Sequence, residues 1–362
     1  MTRKNEIYQM YSKYRENFLT SAKSIGAKLH AYPHPLAGPL NEPLFTDVAL
    51  VGDLSATNQV VIISGTHGVE GYYGSKAQTS LLDELENENI PENISILLIH
   101  LINPWGSAWL RRVNEDNIDL NRNYIDFSSA IEMNKAYADY HNIYNFKEII
   151  GNDKKKSDEK LKSIVEKIGW KNYHNIIEAG QYSHPDGIFY GGKAPSWSNL
   201  TLKKIISEYS NKADNITFID LHTGAGEYGH PMLMSITKKE NPPTERARQI
   251  FGPWLYEIIT GEGNISDTGV AASASGYTSQ ALIEILPQSK CVPLVIECGT
   301  YNSKIVHDAV RNDNWLHLHG DPFSEEGVRI KHELLEAFFP SDPDWQEMTL
   351  LRSLQIFHKL IL

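Results

Sequence analysis

A histidine and a glutamate stand three residues apart in Gly65-Thr66-His67-Gly68-Val69-Glu70-Gly71, directly after the apolar run Val60-Val61-Ile62-Ile63-Ser64. Glycine lets the backbone bend sharply after a strand, so these two side chains can meet one ion. Imidazole nitrogen and carboxylate oxygen both suit a borderline-soft cation such as zinc, and a catalytic zinc site takes three protein ligands so that one position stays open. The third candidate is His222, which ends Thr217-Phe218-Ile219-Asp220-Leu221 and precedes Thr223-Gly224. Taken singly, His-x-x-Glu is common and His222 is an ordinary histidine closing a core strand. Together, with glycine turns after both strands, they favour a metal site. Asp220 alternates with His222 and is either an acceptor for its other ring proton or a solvated strand-end carboxylate. His317 and His319 form a His-x-His pair in a stretch that reads as a loop or helix end, not as ligands.

Placing such residues requires strands that end together. Short apolar runs rich in β-branched residues predict strands at 60–64, 94–101, 216–222, 232–236 and 293–297. Helical periodicity predicts helices at 7–25, 74–85, 130–149, 200–210, 244–259, 279–285 and 326–339. The alternation points to an α/β fold with one sheet covered by helices on both faces. Ligands in such sheets collect outside the carboxyl ends of the strands. His67 and Glu70, Asn103 and Arg112, His222, and Glu297 each follow or close one predicted strand. The more polar segment 126–186 reads as a helical insertion in a single domain spanning 1–362.

Composition narrows the function. The 362-residue chain is 41% apolar and 22% charged, which is ordinary for a folded enzyme. A net charge of -11 and a pI near 5.7 argue against a nucleic-acid partner, which needs a basic surface. Lys154-Lys155-Lys156 runs into Asp158 and Glu159 and reads as a solvated loop. The N-terminal stretch, with Arg3, Lys4, Lys13, Arg15 and Glu16, has no signal-peptide core, and no apolar run is long enough to span a bilayer. Cys291 and Cys298 suit reduced thiols. A cytoplasmic enzyme is expected. A serine hydrolase is disfavoured because no Gly-x-Ser-x-Gly elbow is present.

Four motifs follow in order: His67-Gly68-Val69-Glu70, Asp119-Leu120-Asn121-Arg122-Asn123, Leu221-His222-Thr223-Gly224 and Ile296-Glu297-Cys298-Gly299-Thr300. In these the chain resembles the zinc carboxypeptidase family over about residues 60–301. Within it, the chain is more similar to a bacterial branch that also looks like the aspartoacylase and succinylglutamate desuccinylase group. The resemblance implies a mixed sheet in an α/β/α sandwich and one zinc per chain, held by His67, Glu70 and His222. It makes Glu297 the general base for the attacking water, and Asn121 and Arg122 the holders of the substrate's free carboxylate. Asn103-Pro104-Trp105-Gly106 resembles the family's Asn-Pro-x-Gly turn and leads to Arg111-Arg112, one of which would stabilise the oxyanion. Spacing to Asn121 favours Arg112. Tyr277 stands where the family has a mobile substrate-binding tyrosine. His184-Pro185-Asp186-Gly187-Ile188-Phe189-Tyr190-Gly191-Gly192 resembles a family loop without assigning a role. The implied reaction is hydrolysis of an amide beside a free carboxylate, in a peptide or an N-acyl amino acid. A non-catalytic carboxylate-binding module is the rival, and Glu297 speaks against it. No residue matches the position that sets side-chain preference in digestive carboxypeptidases, and 126–186 has no counterpart.

Overall fold

The computed structural model of the chain describes residues 6–131, 133–237, 242–259, 274–286 and 290–361. Arg3 and Lys4 of the N-terminal stretch, and Glu132 within the expected helix 130–149, lie outside them. The strands are β1 (Lys28–Ala37), β2 (Pro43–Val51), β3 (Asn58–Ser64), β4 (Ile94–His100), β5 (Asn215–Thr223), β6 (Pro231–Thr237), β7 (Leu255–Ile259) and β8 (Cys291–Cys298). They form one mixed sheet in the order β1-β2-β4-β3-β5-β8-β6-β7. Strands β4, β3, β5 and β8 run parallel at its centre, with β2 and β6 antiparallel on either side.

The helices are α1 (Met10–Ser24), α2 (Gly71–Leu85), α3 (Pro104–Ala108), α4 (Lys135–Tyr140), α5 (Asn152–Ile168), α6 (Trp170–Glu178), α7 (Trp197–Tyr209), α8 (Pro242–Phe251), α9 (Thr278–Ile285), α10 (Ser303–His319), α11 (Glu325–Phe338) and α12 (Pro343–Ile361). Strand alternation sorts them onto two faces. Val60 and Ile62 pack with Phe18 of α1, Leu81 of α2, Phe251 of α8 and Phe357 of α12. Val61 and Ile63 pack on the opposite face with Leu202 and Ile206 of α7 and Leu282 of α9. The expected α/β sheet with helices on both faces is therefore present, and the five predicted strands are its β3, β4, β5, β6 and β8.

Two expectations are corrected. The helix foreseen at 244–259 stops at Phe251, because Gly252 takes φ +57 and Pro253 has no N–H to continue the ladder; the chain then forms β7. The helix foreseen at 130–149 is reduced to α4, capped by the Asn134 side chain, and a 3-10 turn at His141–Ile143. His317 and His319 lie in the last turn of α10, the helix end that was one of the two readings of their stretch. The sequence reading also passed over β1, whose Pro33 and Pro35 speak against a central strand but are tolerated at a sheet edge. Among the described residues, no helix is long and apolar enough to cross a membrane.

Candidate metal centre

Because β3, β5 and β8 are adjacent and parallel, their carboxyl ends share one edge. His222 of β5 stands in register beside Glu297 of β8. After β3 the chain turns at Gly65, with φ +71, and His67 opens a 3-10 turn that ends on Glu70. This turn is clamped to the following loop. Gly68 N–H donates to the Arg112 carbonyl at 3.1 Å and Val69 N–H to the Arg111 carbonyl at 2.9 Å. A Cβ on Gly68 would fall 2.1 Å from the Gly106 carbonyl carbon, so only glycine permits this approach.

The three candidate ligands converge. Their donor atoms all lie within 4.8 Å of one another, and all three residues are buried. His67 Nδ1 is 2.8 Å from Glu70 Oε1, and His222 Nδ1 is 2.9 Å from Glu70 Oε2. The far ring nitrogens are also occupied: His67 Nε2 is 3.1 Å from Asp119 Oδ1, and His222 Nε2 is 3.0 Å from Asp220 Oδ2. A carboxylate accepts, so an Nε2 that carries the ring proton would donate to its aspartate, the arrangement common in metal-bound histidines. In a neutral imidazole that leaves the Nδ1 lone pairs aimed at the Glu70 carboxylate. Three acceptors facing one another repel unless protons or a cation lie between them. The donor set, two imidazoles and one carboxylate, fits zinc.

The charged groups of the site shift one another strongly. Burial alone would raise the Glu70 carboxyl, but His67 and His222 override it and hold it well below the usual range. Burial would likewise lower His222, yet Asp220 and Glu70 keep its imidazole well above its ordinary value. Asp119 is buried too, and Arg112, His67 and Arg122 hold it well below the carboxylate range. Glu297 behaves oppositely. Burial first, and the Glu70 charge second, push its carboxyl up to about 8. Its Oε1 accepts from the Ala225 N–H at 3.0 Å.

The two arginines of the Arg111-Arg112 pair separate. Arg112 donates from Nη1 to Glu70 at 3.0 Å and from Nε to Asp119 at 3.2 Å. Arg111 turns away into a buried pair with Asp313 at 2.9 Å. Asn121 places Nδ2 3.3 Å from His222 Nε2, and its Oδ1 accepts from the Thr278 N–H and hydroxyl. The Arg122 guanidinium lies 5.6 Å from the Phe189 ring and 5.3 Å from the Tyr277 ring, with Nε donating to the Glu178 carbonyl at 3.1 Å. All the candidate residues, His67, Glu70, Arg112, Asn121, Arg122, His222, Tyr277 and Glu297, line one cavity of about 910 Å³. The sequence reading quoted Asp119 within a motif but gave it no role. It likewise left His174 and Glu178 of α6, which also line the cavity, unassigned.

Comparison with known proteins gives a family and a set of fold likenesses. The family described as "Protein of unknown function (DUF2817)" matches residues 8–352. No curated protein matches the chain. Among solved structures, the chain is similar to bovine thrombin-activatable fibrinolysis inhibitor in complex with tick carboxypeptidase inhibitor. That match has 11% identity and a TM-score of 0.45, covering 98% of this chain and all 100% of the other. It is similar to carboxypeptidase A from Helicoverpa armigera at 14% identity and TM-score 0.45, covering 90% and 73%. A Shewanella amazonensis protein of the succinylglutamate desuccinylase/aspartoacylase family matches at 19% identity and TM-score 0.38, covering 83% and 73%. These are likenesses of fold and carry no assignment of activity.

Proposed function

The chain belongs to the DUF2817 family, and we propose that it is a zinc-dependent hydrolase that cleaves an amide bond beside a free carboxylate, in the manner of a metallocarboxypeptidase. The observation that carries this reading is the convergence of His67 Nδ1, His222 Nδ1 and the Glu70 carboxylate, with Asp119 and Asp220 on the two far nitrogens. These three residues would hold the ion. Bound there, zinc would polarise the scissile carbonyl and lower the pKa of water toward 7.

The remaining groups divide the work. Glu297 stands beside His222, and one of its carboxylate oxygens is fixed by the Ala225 N–H. The other can take the proton of the attacking water and return it to the leaving amine. Arg112 is tied by Nη1 and Nε to Glu70 and Asp119, so its charge is held beside the metal ligands, where an oxyanion would form. Arg122 presents a guanidinium held between Phe189 and Tyr277, and Asn121 stands beside it, so the pair suits a planar carboxylate. A pure binding module would not need a base beside the metal ligands.

Metal analysis of the purified protein tests the site, with about one zinc per chain expected and its loss on His222→Ala. Glu297→Gln keeps size and shape but removes the base. Hydrolysis should fall by roughly 10²–10⁴-fold, while zinc content and affinity for a carboxylate ligand stay at the parent's level. Loss of zinc in Glu297→Gln would make Glu297 a ligand. Full activity in that variant would mean that another group activates the water.

A further inference from the structure

Arg112 and His67 lie across the same two carboxylates. Glu70 Oε1 accepts from Arg112 Nη1 at 3.0 Å and faces His67 Nδ1 at 2.8 Å. Asp119 Oδ2 accepts from Arg112 Nε at 3.2 Å, and its Oδ1 faces His67 Nε2 at 3.1 Å. Guanidinium, ligand carboxylate, imidazole and supporting carboxylate therefore close a ring. The other histidine is supported differently. Asp220 Oδ2 faces His222 Nε2 at 3.0 Å, and its Oδ1 accepts from the Thr66 hydroxyl, a neutral donor, at 2.8 Å. One arm of the candidate metal centre is thus backed by a guanidinium and the other by a hydroxyl.

A guanidinium that shares a carboxylate oxygen competes with an ion for the same lone pairs, and its charge repels a divalent cation directly. Its bond to Asp119 acts in the same direction. A carboxylate behind a metal-bound histidine raises that ligand's basicity, and a cation on the carboxylate takes part of the gain back. Buried charges are screened far less than exposed ones. Glu70 and Asp119 are both buried, and the Arg112 Cζ lies 5.3 Å from the Phe189 ring and 6.0 Å from that of Phe338.

The opposing effect is support, since the same two bonds also help to hold the carboxylates in place. Backbone groups already do much of that holding. The turn that carries His67 and Glu70 is clamped through the carbonyls of Arg111 and Arg112, not through their side chains. Glu70 Oε2 accepts from the Thr223 N–H at 3.1 Å, and Asp119 Oδ1 from the Asn121 N–H at 2.9 Å. The net effect of the guanidinium is therefore its charge.

We propose that Arg112 sets how tightly this site holds its ion, weakening the arm of Glu70 and His67 so that zinc binds less tightly and leaves faster than the three ligands alone would dictate. The inference rests on the zinc reading of the site and not on the reaction. It is separate from oxyanion stabilisation, because it is expressed with no substrate present.

Zinc affinity of the purified chain, measured by competition with a chromophoric chelator, and the rate of zinc loss to excess EDTA test it. Arg112→Gln removes the charge and keeps an amide donor. It should bind zinc at least about tenfold more tightly, the lower end of what groups behind metal ligands usually contribute, and lose it correspondingly more slowly. Arg112→Lys keeps the charge and should stay within a few-fold of the parent. Asp119→Asn removes the carboxylate behind His67 and should move affinity the other way. If Arg112→Gln does not fold, Arg112→Met, equally neutral, carries the same expectation. Unchanged or weaker zinc binding in the neutral variant means that the guanidinium supports the ligands and overturns the proposal, as does tighter binding in Asp119→Asn. A parent protein that binds no zinc at all overturns the zinc reading of the site, and this inference with it.

Discussion

Glu70 is the node of the site. One of its oxygens faces His67 Nδ1 and Arg112 Nη1, the other His222 Nδ1 and the Thr223 N–H, so both lone-pair faces are engaged at once. The residues around it were unequally legible. His67, Glu70, His222 and Glu297 were visible because each lies at the end of an apolar run or within the turn after it, a pattern that survives without knowledge of the fold. Asp119 was not, because nothing local marks a lone aspartate between Ile118 and Leu120 as the partner of a histidine 52 positions away. The choice of Arg112 over Arg111 rested on spacing to Asn121, and the structure brings Arg112 to Glu70 and Asp119 while Arg111 pairs with Asp313. Arg122 carries a residue-scale prediction. Lysine cannot reproduce a planar two-pronged donor, and hydrogen bonds to charged groups are worth ~1.5–3 kcal/mol. Arg122→Lys should therefore raise KM for a carboxylate-bearing substrate by roughly 10–100-fold with kcat little changed. Steady-state kinetics would check it, and a fall in kcat at constant KM would move Arg122 from carboxylate binding to the transition state.

At the scale of elements, the burial of Asp313 sets where the neighbouring arginines go. Asp313 on α10 accepts from Lys331 of α11 at 2.5 Å and from Arg111 at 2.9 Å, all three buried. Arg111 is thereby fixed to one side of its loop and Arg112 projects to the other. Burial alone would raise the Asp313 carboxyl, but Lys331 and Arg111 hold it below the usual range. A depressed carboxylate stabilises the fold fully above its unfolded pKa, about 3.9, and that contribution is lost as pH falls through the lower folded value. Asp313→Asn leaves two buried cations without their counter-charge, which should cost about 3–5 kcal/mol at neutral pH. The gap between parent and variant, measured by chemical denaturation, should be widest near pH 7 and narrow as pH drops below ~4. A gap unchanged down to pH 3 would show that the carboxylate's charge is not what stabilises the α10–α11 contact. Elements of this kind escape a sequence reading for a physical reason. In α5 the apolar stripe of Leu161, Ile164, Val165 and Ile168 is confined to the second half and only partly buried, so the charged first half of the 17-residue helix carries no such signal. Strand β1 hides behind two prolines that its edge position excuses.

For the whole molecule, the sheet and its flanking helices were readable as an α/β layered fold, whereas the packing of the 126–186 segment was not. Its helices gather a second apolar cluster of Tyr137, Ile143, Tyr144, Tyr173, Ile177, Ile188 and Phe189. Arg311 of α10 fastens it to the body of the protein, donating to the Ile143 carbonyl, the Asp158 carboxylate and the Ser157 hydroxyl. His307, one turn earlier, stands 3.3 Å from the hydroxyls of both Tyr144 and Tyr173. The same segment supplies the Glu178 carbonyl that holds Arg122, and Phe189, three residues past its end, places its ring 5.6 Å from the guanidinium. A contiguous line of packed groups thus runs from α10 through α5 and α6 to Arg122. Spatial contiguity alone is not coupling, so the consequence has to be measured. Arg311→Ala removes the fastening without touching the cavity. Thermal stability should fall, and the segment should become more open to limited proteolysis. KM for a carboxylate-bearing substrate should rise by roughly five- to tenfold, a modest coupling of ~1–1.4 kcal/mol, while zinc content and kcat stay near the parent's. If Arg311→Ala loosens the segment to protease yet leaves KM unchanged, the segment does not position Arg122. If zinc is lost as well, the damage has spread to the sheet edge, and the line of contacts reaches further than Arg122.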